Sequence, residues 1–285
     1  MEESVGPRRI AGLSDIAENY QGLLCDVWGV VHNGVVAHQP AVEALRRFRD
    51  AGGRVVLITN SPRPARQVRE QLRGLQVADA AYDAIVSSGD VTRNLIAGRT
   101  GAGMYHLGPD RDKPLYEGLD FDLVPPDRAE FVLLTGLFND EVETPDDYRE
   151  LLAELRARDL EVICANPDLV VERGGRHVYC AGALAQIYEE MSGDVVYAGK
   201  PHPPIYEAAL QLFAEKAGAP LPKRKILAIG DGIGTDLKGA AAIGLDMLFI
   251  TSGIHAKDGT RTGQLERLFA DASATPRAVL EALVW

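Results

Sequence analysis

The feature that most constrains the fold is an alternation of short apolar runs with amphipathic stretches, and polar residues gather directly after the runs. Residues 23–26 form one such run. A Gly-rich loop follows, then residues 41–51, where Val42, Leu45 and Phe48 recur at helical spacing. Gly52-Gly53 ends that helix, and Arg54–Thr59 reads as a buried strand. Pro62 and Pro64 open a helix to about Arg73. Residues 85–87 predict a strand and 89–97 a helix. In the C-terminal third, 195–198, 226–229 and 247–250 read as strands. Residues 203–215, 235–242 and 276–284 read as helices, the first with Ile205, Ala208, Ala209 and Leu212 on one face. Strands separated by helices of this length predict an α/β fold: a Rossmann-like parallel sheet with helices on both faces.

The middle of the chain differs. Residues 98–130 are rich in Gly, Pro and Asp, with short strand candidates at 104–107 and Phe131–Leu134, and a helix at 146–158 leads into 162–165. Residues 85–190 are therefore expected to be an inserted α/β domain, with 1–84 and 191–285 forming the core. A chain of 285 residues is long enough to bury such a core without disulfide or metal staples. No internal repeat or low-complexity tract interrupts it.

Charge narrows the partners. Thirty Lys+Arg against 41 Asp+Glu give a net −11, a field that repels nucleic acid and anionic lipid. Neither is an expected partner, whereas a small anionic substrate needs only a local positive site. Cys25, Cys164 and Cys180 lie outside any CxxC pattern and read as buried, reduced thiols. The N-terminus lacks a signal-type apolar run, and no run of 18 apolar residues occurs. A cytoplasmic protein is expected. Sequence does not decide its oligomeric state, a homodimer being one option.

In parallel α/β sheets, ligands bind beyond the carboxyl ends of the strands. After the first strand come Asp26-Val27-Trp28-Gly29-Val30, and after the second Thr59, Asn60 and Ser61. Lys200 stands in Gly199-Lys200-Pro201, and Asp231 and Asp236 follow the strand at 226–229. Each alone has an ordinary local role. Asp231 suits a turn, Asp236 a helix first turn, Thr59 or Ser61 a cap, and Lys200 a solvated surface. Together they bring three carboxylates, a lysine and a hydroxyl–amide pair to one sheet edge. Phosphoryl transfer needs that set, because the protein supplies mostly position and electrostatics. Asp26 is a candidate nucleophile toward phosphorus. Asp26, Asp231 and Asp236 suit Mg²⁺. Lys200 offers a point charge, and Thr59 and the amides around Asn60 suit phosphate oxygens. Rival signatures are missing: there is no GxxxxGK[ST], HExxH or GxSxG, and Gly101-Ala102-Gly103 lacks a third glycine.

The ordered set Asp26-x-Trp28-Gly29-Val30, Thr59-Asn60-Ser61, Gly199-Lys200-Pro201 and Gly230-Asp231…Thr235-Asp236 resembles the haloacid dehalogenase superfamily. The long insert between the second and third motifs is similar to its class IIA branch, the NagD-like or 4-nitrophenylphosphatase-like hydrolases with a C2-type cap. Ala165-Asn166-Pro167-Asp168 and Gly182-Ala183-Leu184 extend the match, which spans about Gly22 to Gly253. The resemblance implies a phosphatase of a small phosphorylated metabolite, with Asp26 as nucleophile and Mg²⁺ held by Asp26, the Trp28 carbonyl, Asp231 and Asp236. It implies phosphate contacts from Thr59, Asn60, Ser61 and Lys200, and substrate selection by the loop of Asn166 and Asp168.

One position departs from the pattern. Superfamily phosphatases carry a second Asp two residues after the nucleophile, which protonates the leaving group; here Trp28 stands there. An indole N–H donates but does not titrate. Three outcomes follow: a surrogate such as His32 or a cap residue, restriction to good leaving groups, or a silent protein that binds a phosphorylated ligand. A carbon–halogen hydrolase is a further alternative. Such enzymes work without metal, and the retained Asp231/Asp236 pair argues against it.

Overall fold

The run Leu23-Leu24-Cys25 has no polar face, so a strand made from it must be covered on both sides. In the computed structural model, which describes residues 7–173, 176–252, 269, 272 and 274–285, all five residues of that strand are buried. Met1–Gly6 and Gly253 fall outside the described residues. The strands in chain order are β1 (Arg8–Arg9), β2 (Gly22–Asp26), β3 (Arg54–Thr59), β4 (Ala84–Ser87), β5 (Gly103–Leu107), β6 (Asp122–Leu123), β7 (Phe131–Leu134), β8 (Glu161–Cys164), β9 (Val170–Arg173), β10 (Arg176–Tyr179), β11 (Val195–Tyr197), β12 (Ile226–Gly230), β13 (Asp246–Ile250) and β14 (Ala278–Leu280). The α-helices are α1 (Gln39–Asp50), α2 (Ala65–Gly74), α3 (Ser88–Ala97), α4 (Arg149–Ala157), α5 (Ala181–Glu190), α6 (Pro203–Ala217) and α7 (Lys238–Ile243).

The chain divides into two compact units: residues 1–59, 69–86 and 206–285, and residues 60–68 and 87–205. The first holds a sheet in the order β1-β14-β13-β12-β2-β3-β4. Its pairs β1–β14, β14–β13, β13–β12, β12–β2 and β2–β3 are parallel. The first strand of the α/β alternation thus lies between β12 and β3, and connections leave it in both directions. That reversal of strand order falls at β2, whose carboxyl end carries Asp26, and such switch points are where parallel α/β sheets bind ligands. Helix α1 buries Ala41, Val42, Ala44, Leu45 and Phe48, the face its spacing predicts.

The second unit has its own parallel sheet, β11-β8-β7-β5-β6. Alternate residues of β7 feed two cores. Val132 and Leu134 pack with Leu152 and Leu155 of α4 and with Leu184, Ile187 and Tyr188 of α5. Phe131 and Leu133 pack with Ile96, Leu115 and Tyr116 on the other face. A hairpin of β9 and β10 is antiparallel.

Three sequence expectations need correction. Residues 276–284 do not form a helix: Ala278–Leu280 is a buried strand, pairing in parallel with β13 and β1. A short apolar run lacks the length to separate helix from strand, and the sheet edge beside β13 decides it. The strand at 195–197 does not open the C-terminal repeat of the first sheet. It pairs with β8 at the edge of the second. The helix expected at 146–158 begins as a 3₁₀ turn, Pro145–Tyr148, under a Thr144–Asp147 capping box, before α4.

His106, on β5, links Thr135 (Nε2 to Oγ1, 2.9 Å) and Tyr116, whose hydroxyl lies 3.3 Å from Nδ1. Burial, with help from Lys113, pushes its pKa down to about 4. The unfolded chain, at the ordinary 6.5, binds the proton more readily, so stability from this residue is present above about 6.5 and is lost as pH falls toward 4. We expect urea unfolding to show a loss of about 2 kcal/mol between about pH 7 and about pH 5 attributable to this group. His106→Asn should lose less over the same range; an identical slope would contradict the assignment.

Candidate active site

Register brings the carboxylates together. Ile229 pairs with Cys25, and Ile58 with Asp26, so the chain leaves β12 at Asp231 and β3 after Thr59, both beside the end of β2. Asp26, Thr59, Asp231 and Asp236 are all buried. Asp26, Asp231 and Asp236 each place a carboxylate oxygen within 4.8 Å of the others. Three like charges at that spacing repel by roughly 3 kcal/mol per pair at an effective dielectric of about 20. A divalent cation offsets such repulsion, and a donor set of carboxylate oxygens without thiol or imidazole suits a hard ion such as Mg²⁺.

Local structure aims two of these groups. After β12, Ile233–Leu237 winds as a π-helical turn closed by the Leu237 N–H donating to the Gly232 carbonyl (3.0 Å). Such widened turns recur at functional sites. It turns Asp236 back so that its Oδ2 accepts from the Gly232 N–H (3.1 Å) and the Thr235 hydroxyl (3.4 Å). Gly29 has φ +84°, and a Cβ there would strike the Asp231 carboxylate. Glycine is thus required both by the left-handed backbone and by the approach of Asp231. Sequence reading quoted Gly29 and Thr235 within the motifs but gave neither a role; the close approach of Asp231 to Gly29 and the Thr235–Asp236 hydrogen bond supply them.

The turn after Asp26 also defines His32. The Val31 N–H donates to the Val27 carbonyl (2.8 Å) and the Gly29 N–H to the His32 carbonyl (2.8 Å). The His32 ring stands edge-on to the Trp28 indole at 5.0 Å, and its Nδ1 accepts the Gly34 N–H (2.8 Å). Burial, then the nearby His38, push its pKa down to about 4. At neutral pH the ring is uncharged, with Nδ1 committed to the backbone. It braces the loop and is poorly suited to protonating a leaving group.

The remaining predicted residues belong to the second unit. The Asn60 side chain accepts the Lys200 N–H on Oδ1 (2.7 Å) and donates from Nδ2 to the Lys200 carbonyl (3.1 Å) and to Asp168 Oδ1 (2.8 Å). Lys200 and Asn166 are both buried. Asn166 Oδ1 accepts the Asp168 N–H (3.1 Å), shaping the 166–168 loop, which lies against Gly182 at the start of α5. Ser61 accepts the Arg63 N–H (3.3 Å) on its hydroxyl and the Gly89 N–H (3.1 Å) on its carbonyl. All three cysteines are buried, and among the described residues none of them is in a disulfide. Burial pushes the Cys164 thiol up to about 12 and raises that of Cys180 as well, so neither offers a thiolate nucleophile. Among the described residues, no helix is long and apolar enough to cross a membrane.

Comparison with known proteins gives a consistent picture. Residues 23–122 match the profile of haloacid dehalogenase-like hydrolases, and residues 197–284 a second, HAD-hydrolase-like profile. A crystal structure of a haloacid dehalogenase-like family hydrolase from Brucella suis 1330 is 48% identical, covers 98% of this chain and 100% of its own, and superposes with a TM-score of 0.87. The ribonucleotide monophosphatase NagD of Escherichia coli (strain K12) is 29% identical over 84% of this chain and 90% of its own. The 5'-nucleotidase YutF of Bacillus subtilis (strain 168) is 23% identical over 85% and 91% respectively.

Proposed function

We propose, from the premise that this chain belongs to the class IIA, NagD-like branch of the haloacid dehalogenase-like hydrolases, that it hydrolyses a small phosphorylated metabolite through an aspartyl-phosphate on Asp26. Its reaction class is phosphoric monoester hydrolysis, in line with its nucleotidase and monophosphatase relatives. The observation that carries the mechanism is the buried trio of Asp26, Asp231 and Asp236. In this reading an Asp26 oxygen bonds to phosphorus as the ester P–O bond breaks. The leaving alkoxide takes its proton from solvent, since position 28 has no acid. Water then attacks phosphorus, releasing phosphate and restoring the Asp26 carboxylate. Asp26, Asp231, Asp236 and the Trp28 carbonyl would hold Mg²⁺, with Asp236 kept in place by Gly232 and Thr235. When bound, the ion supplies positive charge against the carboxylates and the phosphoryl group. Lys200, Thr59, Ser61 and the backbone at Asn60 would contact phosphate oxygens, and Asn166 and Asp168 would meet the rest of the substrate. A cytoplasmic setting is part of the same proposal, and three buried cysteines outside any disulfide suit it.

The test is phosphate release from an aryl phosphate during a Mg²⁺ titration. Activity should rise with Mg²⁺ and vanish with a chelator. Asp231→Ala should demand at least about tenfold more Mg²⁺, because it removes one of very few carboxylate ligands. Binding of phosphorylated ligands without any release would favour instead the silent binding protein that Trp28 allows.

A further inference from the structure

Asn60 is a motif residue whose side chain is committed within the protein. One amide grips the Lys200 peptide on both sides, accepting its N–H at 2.7 Å and donating to its carbonyl at 3.1 Å. The same Nδ2 donates to the Asp168 carboxylate at 2.8 Å. Asn60 and Lys200 are buried, where a lost partner costs more than at the surface. Packing around this junction is tight. A Cβ on Gly199 would strike Asn60 Oδ1, the Pro167 ring and the Ser88 hydroxyl, so the peptide before Lys200 reaches Asn60 only because residue 199 has no side chain. Pro167 belongs to the Asn166–Asp168 loop, which therefore touches the same spot by a second route.

We propose that Asn60 is a positioning residue that latches the Asp168 loop to the backbone of Lys200, so that engagement of substrate by that loop and placement of the lysine are coupled. The amide serves two masters through one rigid plane: Oδ1 and Nδ2 fix the Lys200 peptide, and the remaining reach of Nδ2 fixes Asp168. A shift of Asp168 toward a bound substrate pulls on Nδ2 and so on the Lys200 carbonyl. The role rests on the phosphatase reading, because Lys200 and Asp168 matter only if they meet a phosphorylated substrate. It goes beyond that reading by removing the Asn60 side chain from the phosphate contacts and making it the link between selection and chemistry.

A reciprocal exchange tests the latch. Asn60→Asp keeps the acceptor for the Lys200 N–H but sets a carboxylate against both the Lys200 carbonyl and the Asp168 carboxylate. It should lower kcat by about tenfold or more, the scale seen when a positioning partner is lost. Asp168→Asn supplies a donor in return. Adding it to Asn60→Asp should recover at least about threefold of the lost kcat, whereas alone it should raise KM. Losses that multiply in the double variant would overturn the coupling. Ser88→Ala removes a buried hydroxyl at the same junction that has no hydrogen-bond partner among the described residues, and is expected to leave kcat unchanged. If it reproduces the loss seen in Asn60→Asp, the effect is packing and the latch is wrong. An inactive parent enzyme would refute the phosphatase reading instead, so the two failures are distinguishable.

Discussion

Asp26→Asn is expected to lower phosphate release by at least about 10⁴-fold while leaving the thermal unfolding midpoint within a few degrees of the parent. Asn has nearly the shape of Asp, and the position is buried at the end of a strand whose every residue is covered. The fold should therefore accept it. An amide oxygen, however, is a poor nucleophile toward phosphorus. One member of a crowded carboxylate trio is also neutralised, which by itself relieves repulsion and favours stability when no cation is present. The pair of outcomes is diagnostic: activity gone and midpoint level or raised. Residual turnover within tenfold of the parent would mean that the nucleophile lies elsewhere.

The second large effect concerns the leaving group. A 4-nitrophenolate departs almost unaided, but a simple alkoxide needs a proton. General acid help of that kind is worth roughly 10² to 10⁴ in rate. Trp28 cannot give it, and His32 is neutral, with Nδ1 accepting the Gly34 N–H. Rate should therefore fall steeply as leaving-group pKa rises, with aryl or acyl phosphates exceeding simple alkyl phosphates by about 10² or more. A flat plot across a leaving-group series would require a surrogate acid and refute this account of Trp28. His32→Asn separates the possibilities further. A bracing role predicts loss of stability with an unchanged slope, and an acid role predicts a steeper slope.

Much of this site was legible because its chemistry is tied to strand ends. Asp26, Thr59 and Asp231 follow apolar runs too continuous to be anything but covered strands, and parallel pairing then places their carboxyl ends side by side. Asp236 was legible from its spacing after Asp231, but the π-helical turn that aims it was not, since one extra residue in a turn leaves no periodic trace. The partners of Asn60 were equally hidden. They lie 140 and 108 residues away in sequence, and a short amide beside a phosphate-type motif looks the same whether it faces substrate or another loop. The strand at 278–280 was misread for a related reason: three apolar residues fit either period, and only a neighbouring strand decides. His32 looked like a candidate acid until its hydrogen bond to the backbone and its burial were visible.

Without an acid–base carboxylate at position 28, no side chain there activates the water that cleaves the aspartyl-phosphate, so that intermediate should accumulate. Rapid acid quenching of the enzyme during turnover of 4-nitrophenyl phosphate, followed by peptide mass spectrometry, measures it directly. The account predicts a phosphoryl group on the peptide containing Asp26, on that residue, appearing within the first turnover and absent from Asp26→Asn. A phosphoryl group carried by another residue, or full turnover with an unmodified Asp26 peptide at every quench time, would contradict it.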